Sequence, residues 1–160
     1  MLFFIFFLIA SGASVFDGKW QMDKTKEIGS CDAVLRLIGV SKMKIGIIAG
    51  MGIVEHYALT ADAFHIVRDT IFPYTHSDKT YLWGVEVNDN DAILGDSRHT
   101  VTIHNMNRIE TRMVRPDGGL YTGTRKPYNN NVNTLIYLTN YTTADQKHAS
   151  CARIYVKIIK

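Results

Sequence analysis

Arg153 and Tyr155, close to the end of the chain, are the residues whose types and spacing best indicate a binding chemistry. Side chains two positions apart on a β-strand point to the same face. If that face lines a closed barrel, a guanidinium and a phenol lie together with no acidic residue beside them in sequence. Because a buried guanidinium without a partner costs several kcal/mol, the pair is suited to a carboxylate that arrives from outside.

The opposite orientation of this last strand is also open. Ile154, Val156 and Ile158 form the apolar phase of the same segment. Periodicity alone favours turning that phase towards the core, which makes Arg153 an ordinary surface arginine.

The elements that must position these residues are mainly short strands. Phe16–Met22 predicts a first strand, and Asp23–Ser30, which is polar with one glycine, predicts a connection. After residue 52, short alternating runs are separated by turn residues every eight to twelve positions, the pattern of a sandwich or barrel. The chain therefore predicts an all-β protein of about nine or ten strands.

Two short helices are predicted between the first and second strands. Asp32 is a candidate N-cap for a helix over residues 33–38 that stops at Gly39. Ser41 is a candidate cap for a second helix through about Ala49, interrupted by Gly46.

The composition indicates one globular domain. Of 160 residues, 21% are charged and 46% hydrophobic, and the net charge of +3 is too mild to indicate nucleic acid as a partner. Residues 1–9 are an uninterrupted apolar run, followed by small residues up to Ala13. This predicts a signal peptide at 1–13, since the run is shorter than the ~20 residues of a spanning helix. We therefore expect a secreted, extracellular domain at 14–160.

Two features depend on secretion. Cys31 and Cys151 either form a disulfide, which would close a long loop and contribute about 4–5 kcal/mol in the chain-entropy model, or remain buried thiols. Asn140-Tyr141-Thr142 is the one glycosylation sequon, in a predicted turn, and Asn140 is either glycosylated or an unmodified turn residue.

No motif predicts catalysis, a metal site or a cofactor. His99 and His104 are five positions apart on opposite strand faces, and no Cys-His cluster occurs, so we expect surface histidines. The sequence has no nucleophile motif, phosphate-binding loop or dinucleotide fingerprint. We therefore expect a protein that is not an enzyme.

Short motifs along nearly the whole chain form an ordered series. They are Phe16-x-Gly18-x-Trp20, Gly39-Val40, Ala49-Gly50, Trp83-Gly84-Val85-Glu86-Val87, Asp96-Ser97-Arg98, Asp117-Gly118, Arg125-Lys126 and Cys151-Ala152-Arg153-Ile154-Tyr155-Val156-Lys157. In this order and spacing they resemble the intracellular lipid-binding protein family, which includes the fatty-acid-binding proteins and cellular retinoid carriers. The chain departs from that family in Cys31-Asp32, where the family has an aromatic and an acid, and in a longer first loop.

The resemblance implies a ten-stranded antiparallel up-and-down β-barrel of the calycin type, with a helix-turn-helix lid after the first strand. It also implies that Arg125, Arg153 and Tyr155 hold a ligand carboxylate. The other implied ligand-binding residues are Asp96 and Arg98 in the lumen, Leu35 on the lid, and Tyr74 at the portal, with Phe72 as a competing portal aromatic.

The expected function is a secreted, monomeric carrier of a long-chain fatty acid or a similar small lipid, with a retinoid as an alternative ligand. Arg36, Lys42 and Lys44 on the helices either make transient contact with anionic membrane surfaces or belong to ordinary solvated helix faces. Two other hypotheses are a secreted lipocalin with another hydrophobic ligand, which would have a C-terminal helix, and a structural protein that bridges membranes.

Overall fold

The structure, a computed structural model, describes residues 14–71, 73–91 and 93–159; the predicted signal peptide and Phe72 lie outside them. It contains ten strands and two helices. The strands are β1 (Gly18–Gly29), β2 (Ile53–Leu59), β3 (Ala63–Ile71), β4 (Tyr74–Leu82), β5 (Val87–Asp91), β6 (Gly95–His104), β7 (Arg108–Val114), β8 (Leu120–Tyr128), β9 (Asn131–Thr142) and β10 (His148–Lys157); the helices are α1 (Cys31–Ile38) and α2 (Lys42–Gly50).

The strands form one antiparallel sheet that curls into a barrel, and the predicted fold class is confirmed. The order is β4-β3-β2-β1-β10-β9-β8-β7-β6-β5, so the first and last strands are neighbours in the middle of the sheet. The two edge strands, β4 and β5, are joined by side chains. Lys79 Nζ lies 2.6 Å from Asp89 Oδ1, and the Tyr81 hydroxyl donates to Asp89 Oδ2 at 2.9 Å.

The first motif of the sequence forms part of the barrel core. Phe16 and Trp20 are fully buried, and the Trp20 indole N–H donates to the Phe16 carbonyl at 2.7 Å. Asp17 accepts the backbone N–H groups of Ser14 and Leu59. The motif therefore has a structural role, since it fixes the start of β1 against β2.

β1 is longer than the sequence predicts. The polar segment expected to be a connection continues the strand as far as Gly29, with a register shift between Asp23 and Glu27. The reason is backbone pairing: Glu27, Ile28 and Gly29 lie opposite Arg153, Ala152 and Cys151 of β10, which satisfies their peptide groups.

Both helices form where they are predicted, but one cap differs. The N-cap of α1 is Ser30, whose hydroxyl accepts the Ala33 N–H, so the prediction of Asp32 as the cap is wrong. α1 ends at Gly39, which adopts a left-handed φ of 95° that suits glycine. Ser41 caps α2, as predicted.

The helices cover one end of the barrel. α1 packs against β9 and β10, and a disulfide joins Cys31 at its start to Cys151 of β10, with 5.1 Å between the Cα atoms. Both helices lie between β1 and β2, and no helix follows β10 as far as Ile159, the last residue described. This arrangement differs from that expected for a lipocalin. Within the described residues, no helix is long and apolar enough to cross a membrane.

Candidate functional site

The larger interior cavity lies between the lid and the barrel wall and has a volume of about 330 Å³. Most of its lining comes from aliphatic side chains of the helices and adjoining strands. These include Leu35, Ile38, Ile47, Ile48, Ile53 and Leu94. Charged and polar side chains also line it, among them Arg68, Arg153, Tyr155, Lys44 and Asp91. The cavity therefore combines a largely apolar space with two guanidinium groups, a phenol, an ammonium group and a carboxylate.

A smaller cavity of about 60 Å³ adjoins the larger one. The two share Arg68, Asp91, Met113 and Tyr137 in their linings, so Arg68 lies where they meet. Ser77, Lys79, His99, Thr111 and Arg125 contribute polar groups to the smaller cavity. The interior is therefore divided into a largely apolar compartment under the lid and a small compartment of mixed lining, to which Phe64, Ile66 and Val101 also contribute.

Arg153 and Tyr155 point into the barrel. Tyr155 is buried, and Arg153 keeps 23% of its side-chain surface accessible. Ile154 faces the other way, yet it is also buried because it packs with Ala152 and Ile136 on the outer face. This outer cluster explains why periodicity alone favours the wrong orientation: both faces of β10 are covered.

Arg125 is also inside the barrel but is already engaged. It is only 3% exposed, and its Nε donates to the Tyr57 hydroxyl at 2.9 Å. The Tyr137 ring lies over the guanidinium, 4.0 Å from ring centroid to Cζ. Gly123 leaves room for this ring, since a Cβ there would meet the Tyr137 hydroxyl at 2.5 Å. Arg125 is thus fixed against two tyrosines and lines the smaller cavity only.

Glu55 is the internal anion that sequence reasoning missed. It is fully buried, its Oε1 accepts from Arg68 Nε at 2.7 Å, and the same oxygen lies 3.6 Å from Arg125 Nη2. Tyr57 donates its hydroxyl proton to the other carboxylate oxygen. Glu55 and Arg68 are directly opposite each other on β2 and β3. Two arginines of the barrel interior therefore share one buried carboxylate.

Glu55 remains ionised beside Arg68 and Arg125. Burial acts to raise the pKa of Glu55, but Arg68, Arg125 and the Tyr57 hydroxyl outweigh it and the pKa is lowered. Burial raises the pKa of Tyr155, so its phenol is neutral and able to donate a hydrogen bond. Arg153 has a more distant partner, Glu27, whose Oε2 lies 3.7 Å from its Nε. Three guanidinium groups thus contact two carboxylates directly, and the carboxylate of Asp91 also lines both cavities.

His99 lies inside the barrel, close to the edge strands β4 and β5. His99 is 4% exposed and its ring packs 4.4 Å from that of Tyr81, centroid to centroid. The expectation that His99 is a surface residue is therefore wrong. His104, by contrast, lies at the surface beside Glu110, as predicted. Neither ring nitrogen of His99 makes a hydrogen bond to any described residue.

Asp96 and Arg98 do not line the lumen, so the prediction for these two residues is wrong. Their side chains are on the outer face of β6: Asp96 accepts from Asn90, and Arg98 is 58% exposed and pairs with Glu86 at 3.4 Å. The inward phase of this strand is Ser97, His99 and Val101. The reason is register, because a shift of one position reverses the face of every side chain in a strand.

The structure also shows where Leu35, Tyr74 and Asn140, three other predicted site residues, are located. Leu35 lines the larger cavity from the lid. Tyr74 lies at the turn between β3 and β4, opposite Ile71, and is 74% exposed. Asn140 lies within β9 rather than in the predicted turn, and its side-chain amide is 3.5 Å from the Thr122 hydroxyl. Its glycosylation stays a prediction.

One signal in the sequence points to the missed cluster. Phe64, Ile66 and Arg68 alternate along one strand, and an arginine in the apolar phase of a strand indicates a buried cation. The partner, Glu55, is in the same phase as Tyr57 in the preceding strand. Which of these residues lie opposite each other depends on the turn that joins the strands.

Comparison with known proteins gives structural matches only. No protein-family model matches the chain, and no curated protein matches its sequence. A Schistosoma mansoni fatty acid binding protein in complex with arachidonic acid has a TM-score of 0.73 and 19% identity, over 92% of this chain and 98% of that one. Fatty-acid-binding protein 1 of Echinococcus granulosus has a TM-score of 0.74 and 14% identity, over 91% and 98%.

A third match shows that the fold has other uses. It is an abundant heat soluble protein from Ramazzottius varieornatus, with a TM-score of 0.73 and 13% identity, over 92% of this chain and 98% of that one. At these identities the likeness concerns the fold. The chain therefore has the fold of the fatty-acid-binding proteins, a ten-stranded barrel closed by two helices.

Proposed function

We propose that the protein is a non-enzymatic carrier that encloses one long-chain fatty acid or a similar small lipid. The observation that carries this proposal is the cavity of about 330 Å³, lined by aliphatic side chains together with Arg68, Arg153 and Tyr155. Its volume lies in the range of small-molecule sites, and a few polar groups in an apolar space are typical of them.

The ligand carboxylate would bind at Arg153 and Arg68, not at Arg125. Arg125 lines only the smaller cavity, whereas Arg153 and Arg68 line the larger one. Arg68 also pairs with Glu55 at 2.7 Å and would share its guanidinium between Glu55 and the ligand. The Tyr155 hydroxyl makes no hydrogen bond to a described residue and would donate to the same carboxylate. The ligand carboxylate would accept charge-assisted hydrogen bonds from these groups.

The apolar tail would supply most of the affinity. Burying a sixteen-carbon chain offers on the order of 12 kcal/mol, at about 0.8 kcal/mol for each methylene. The loss of translational and conformational freedom removes part of this gain, which leaves an affinity in the range from micromolar to nanomolar. An acidic retinoid would likewise place its carboxylate at the guanidinium groups and its apolar part in the larger cavity.

Displacement of a fluorescent fatty acid by oleate tests the proposal. The wild-type protein should bind oleate, and R153Q should weaken binding by about ten- to a hundredfold, the effect of losing a charge-assisted hydrogen bond. R112Q is the matched control, because Arg112 is exposed on the outer face of β7. If natural fatty acids and retinoids all fail to displace the probe, the carrier function is wrong.

We also propose that the carrier is secreted and works as a monomer that exchanges lipid with membranes. The supports are the apolar leader at 1–13 and the exposed basic and apolar residues of the lid, among them Lys42 and Met43. Expression of the full chain in animal cells tests secretion: the protein should appear in the medium, with its N-terminus at Ser14. Retention in the cytosol would contradict this part of the proposal.

A further inference from the structure

The smaller cavity has a chemical character that a plain fatty acid does not use. Its walls carry the hydroxyls of Ser77 and Thr111, the ammonium group of Lys79 and the imidazole of His99. It continues from the larger cavity past Arg68, which lines both. Lys79 is already paired with Asp89, but an alkyl tail in this compartment would leave the His99 imidazole without a hydrogen-bond partner.

The imidazole of His99 is the group of this cavity that is buried and has no hydrogen bond within the described part of the chain. His99 is 4% exposed, and neither of its ring nitrogens makes a hydrogen bond to a described residue; the closest anion is Asp89, whose Oδ2 is 3.5 Å from Nδ1. The hydroxyl-bearing residues Ser77 and Thr111 line the same cavity as this imidazole. Buried polar groups in folded proteins are almost always paired, so a partner is expected here.

Arg68 determines which part of a ligand reaches this compartment. A carboxylate bound by Arg68 and Arg153 stands where the two cavities meet, with its tail in the apolar space under the lid. The atoms close to the carboxylate are then nearest to the smaller cavity. Its volume of about 60 Å³ holds a few water-sized groups and excludes a long alkyl chain.

Resting on the proposed function, we infer that the ligand is a fatty acid with a second hydrogen-bonding group close to its carboxylate, and that this group enters the smaller cavity. A hydroxyl on carbon 3 is the simplest such group. It would accept from or donate to His99 and Thr111. The smaller cavity is thus a subsite that selects for the head of the ligand.

Competition between three acids of equal chain length tests the inference on the full-length mature protein. Stearic, 3-hydroxystearic and 12-hydroxystearic acids displace the same fluorescent probe. The 3-hydroxy acid should bind about fivefold more tightly than stearic acid, the effect of one net hydrogen bond. The 12-hydroxy acid should bind no more tightly than stearic acid, because its hydroxyl would lie among aliphatic side chains.

Variants of the smaller cavity test whether the preference for the 3-hydroxy acid arises there. T111V, which keeps the side-chain shape, and H99F should each bring the ratio of the 3-hydroxystearic to stearic affinities towards one. T124V is the control, because Thr124 lies on the outer face of β8 and should leave the ratio unchanged. Because general damage to the fold would weaken the binding of both acids, its effect cancels in this ratio.

The outcomes separate the two proposals. If stearic acid binds and the 3-hydroxy acid binds no more tightly, the smaller cavity holds only water, and the subsite is wrong while the carrier function stands. A preference that persists in both T111V and H99F also overturns the subsite. If none of the three acids binds, the carrier function itself is wrong.

Discussion

Glu55 changes the electrostatics of the lumen because it places a carboxylate between two arginines. A fully buried carboxylate pays a large desolvation cost, which two guanidinium groups and the Tyr57 hydroxyl offset here. Glu55 contacts Arg68 more closely than Arg125, at 2.7 Å against 3.6 Å. At the scale of single residues, a ligand carboxylate would therefore share the Arg68 guanidinium with Glu55.

Replacing Glu55 should destabilise the protein strongly. E55Q leaves the buried Arg125 and the partly exposed Arg68 without their counter-ion, and loss of one partner of a buried ion pair costs about 3–5 kcal/mol in the free energy of unfolding. Urea denaturation measures this change. E110Q is the control, because Glu110 pairs with His104 and Arg108 at the surface and should cost less than about 1 kcal/mol. Equal stabilities of E55Q and E110Q would show that the buried pair is unimportant.

His99 should make stability depend on pH below neutrality. Burial holds its pKa below the ordinary value of 6.5, although Asp89 and Asp91 act in the opposite direction and Lys79 adds to the effect of burial. As the pH falls below 6.5, the unfolded chain binds a proton at this residue that the folded chain does not, so the free energy of unfolding decreases. The acidic groups with lowered pKa values, Glu55 and Asp89, contribute the same trend only below about pH 4.5.

The variant H99F should therefore lose less stability than the wild type between about pH 7.5 and about pH 5.5, as measured by urea denaturation. H56Q provides the comparison, because His56 is exposed on the outer face of β2 and its loss should leave the wild-type trend. An H99F profile parallel to that of the wild type would contradict the prediction.

At the scale of elements, the two helices of the lid are held differently. α1 is fixed at its start by the disulfide and at its end by Arg115, whose Nη1 donates to the Ile38 carbonyl at 2.8 Å. α2 buries only Ile45 and packs mainly on α1, although Lys24 donates to the Gly50 carbonyl. We therefore expect α2 to move first when a ligand enters.

The exposed face of α2 should govern contact with membranes. Met43 is 74% exposed next to Lys42, and Ile47 is also exposed. The double variant K42E/M43S should slow transfer of a fluorescent fatty acid to anionic vesicles roughly tenfold, since each basic residue near such a surface contributes about 1 kcal/mol. K126E, on the outer face of β8, should have a much smaller effect. Equal rates for both variants would assign transfer to simple release into solution.

At the scale of the whole molecule, the disulfide between Cys31 and Cys151 restrains most of the chain, since its two residues are 120 positions apart. The double variant C31A/C151A should lower the free energy of unfolding by about 5 kcal/mol in the chain-entropy model. Urea denaturation of this variant, compared with the oxidised wild type, measures the loss. A difference below about 1 kcal/mol would mean that the unfolded chain gains little freedom when the bond is absent.

Local signals in the sequence predict the elements well but not the site. The Gly39 helix end, the Ser41 cap and the turn at Asp117-Gly118 appear where expected because each depends on a few neighbouring residues. The orientation of Arg153 is not predictable from periodicity, since the opposite face of β10 is also apolar and covered. It follows only from the resemblance to the lipid-binding family.

Pairing between strands explains the remaining errors. Asp96 and Arg98 face outwards because the turn before β6, capped by Asp91 and with Gly95 in a left-handed conformation, places Ser97 and His99 inside. Glu55 meets Arg68 through cross-strand register, which no local pattern shows. The parts of the site that depend on register are therefore visible only in three dimensions.

The pairing of β1 with β10 has a consequence for how the protein reaches its native state. Trp20 lies opposite Lys157, so the central seam of the sheet joins segments from the two ends of the domain. Such distant contacts form late and slow the folding of β proteins to the millisecond-to-second range. During synthesis β2–β9 emerge before β10, so β1 gains its partner strand last. β10, which completes the sheet, also brings Arg153 and Tyr155 to the lumen. Folding and the ability to bind a ligand are thus acquired in the same step.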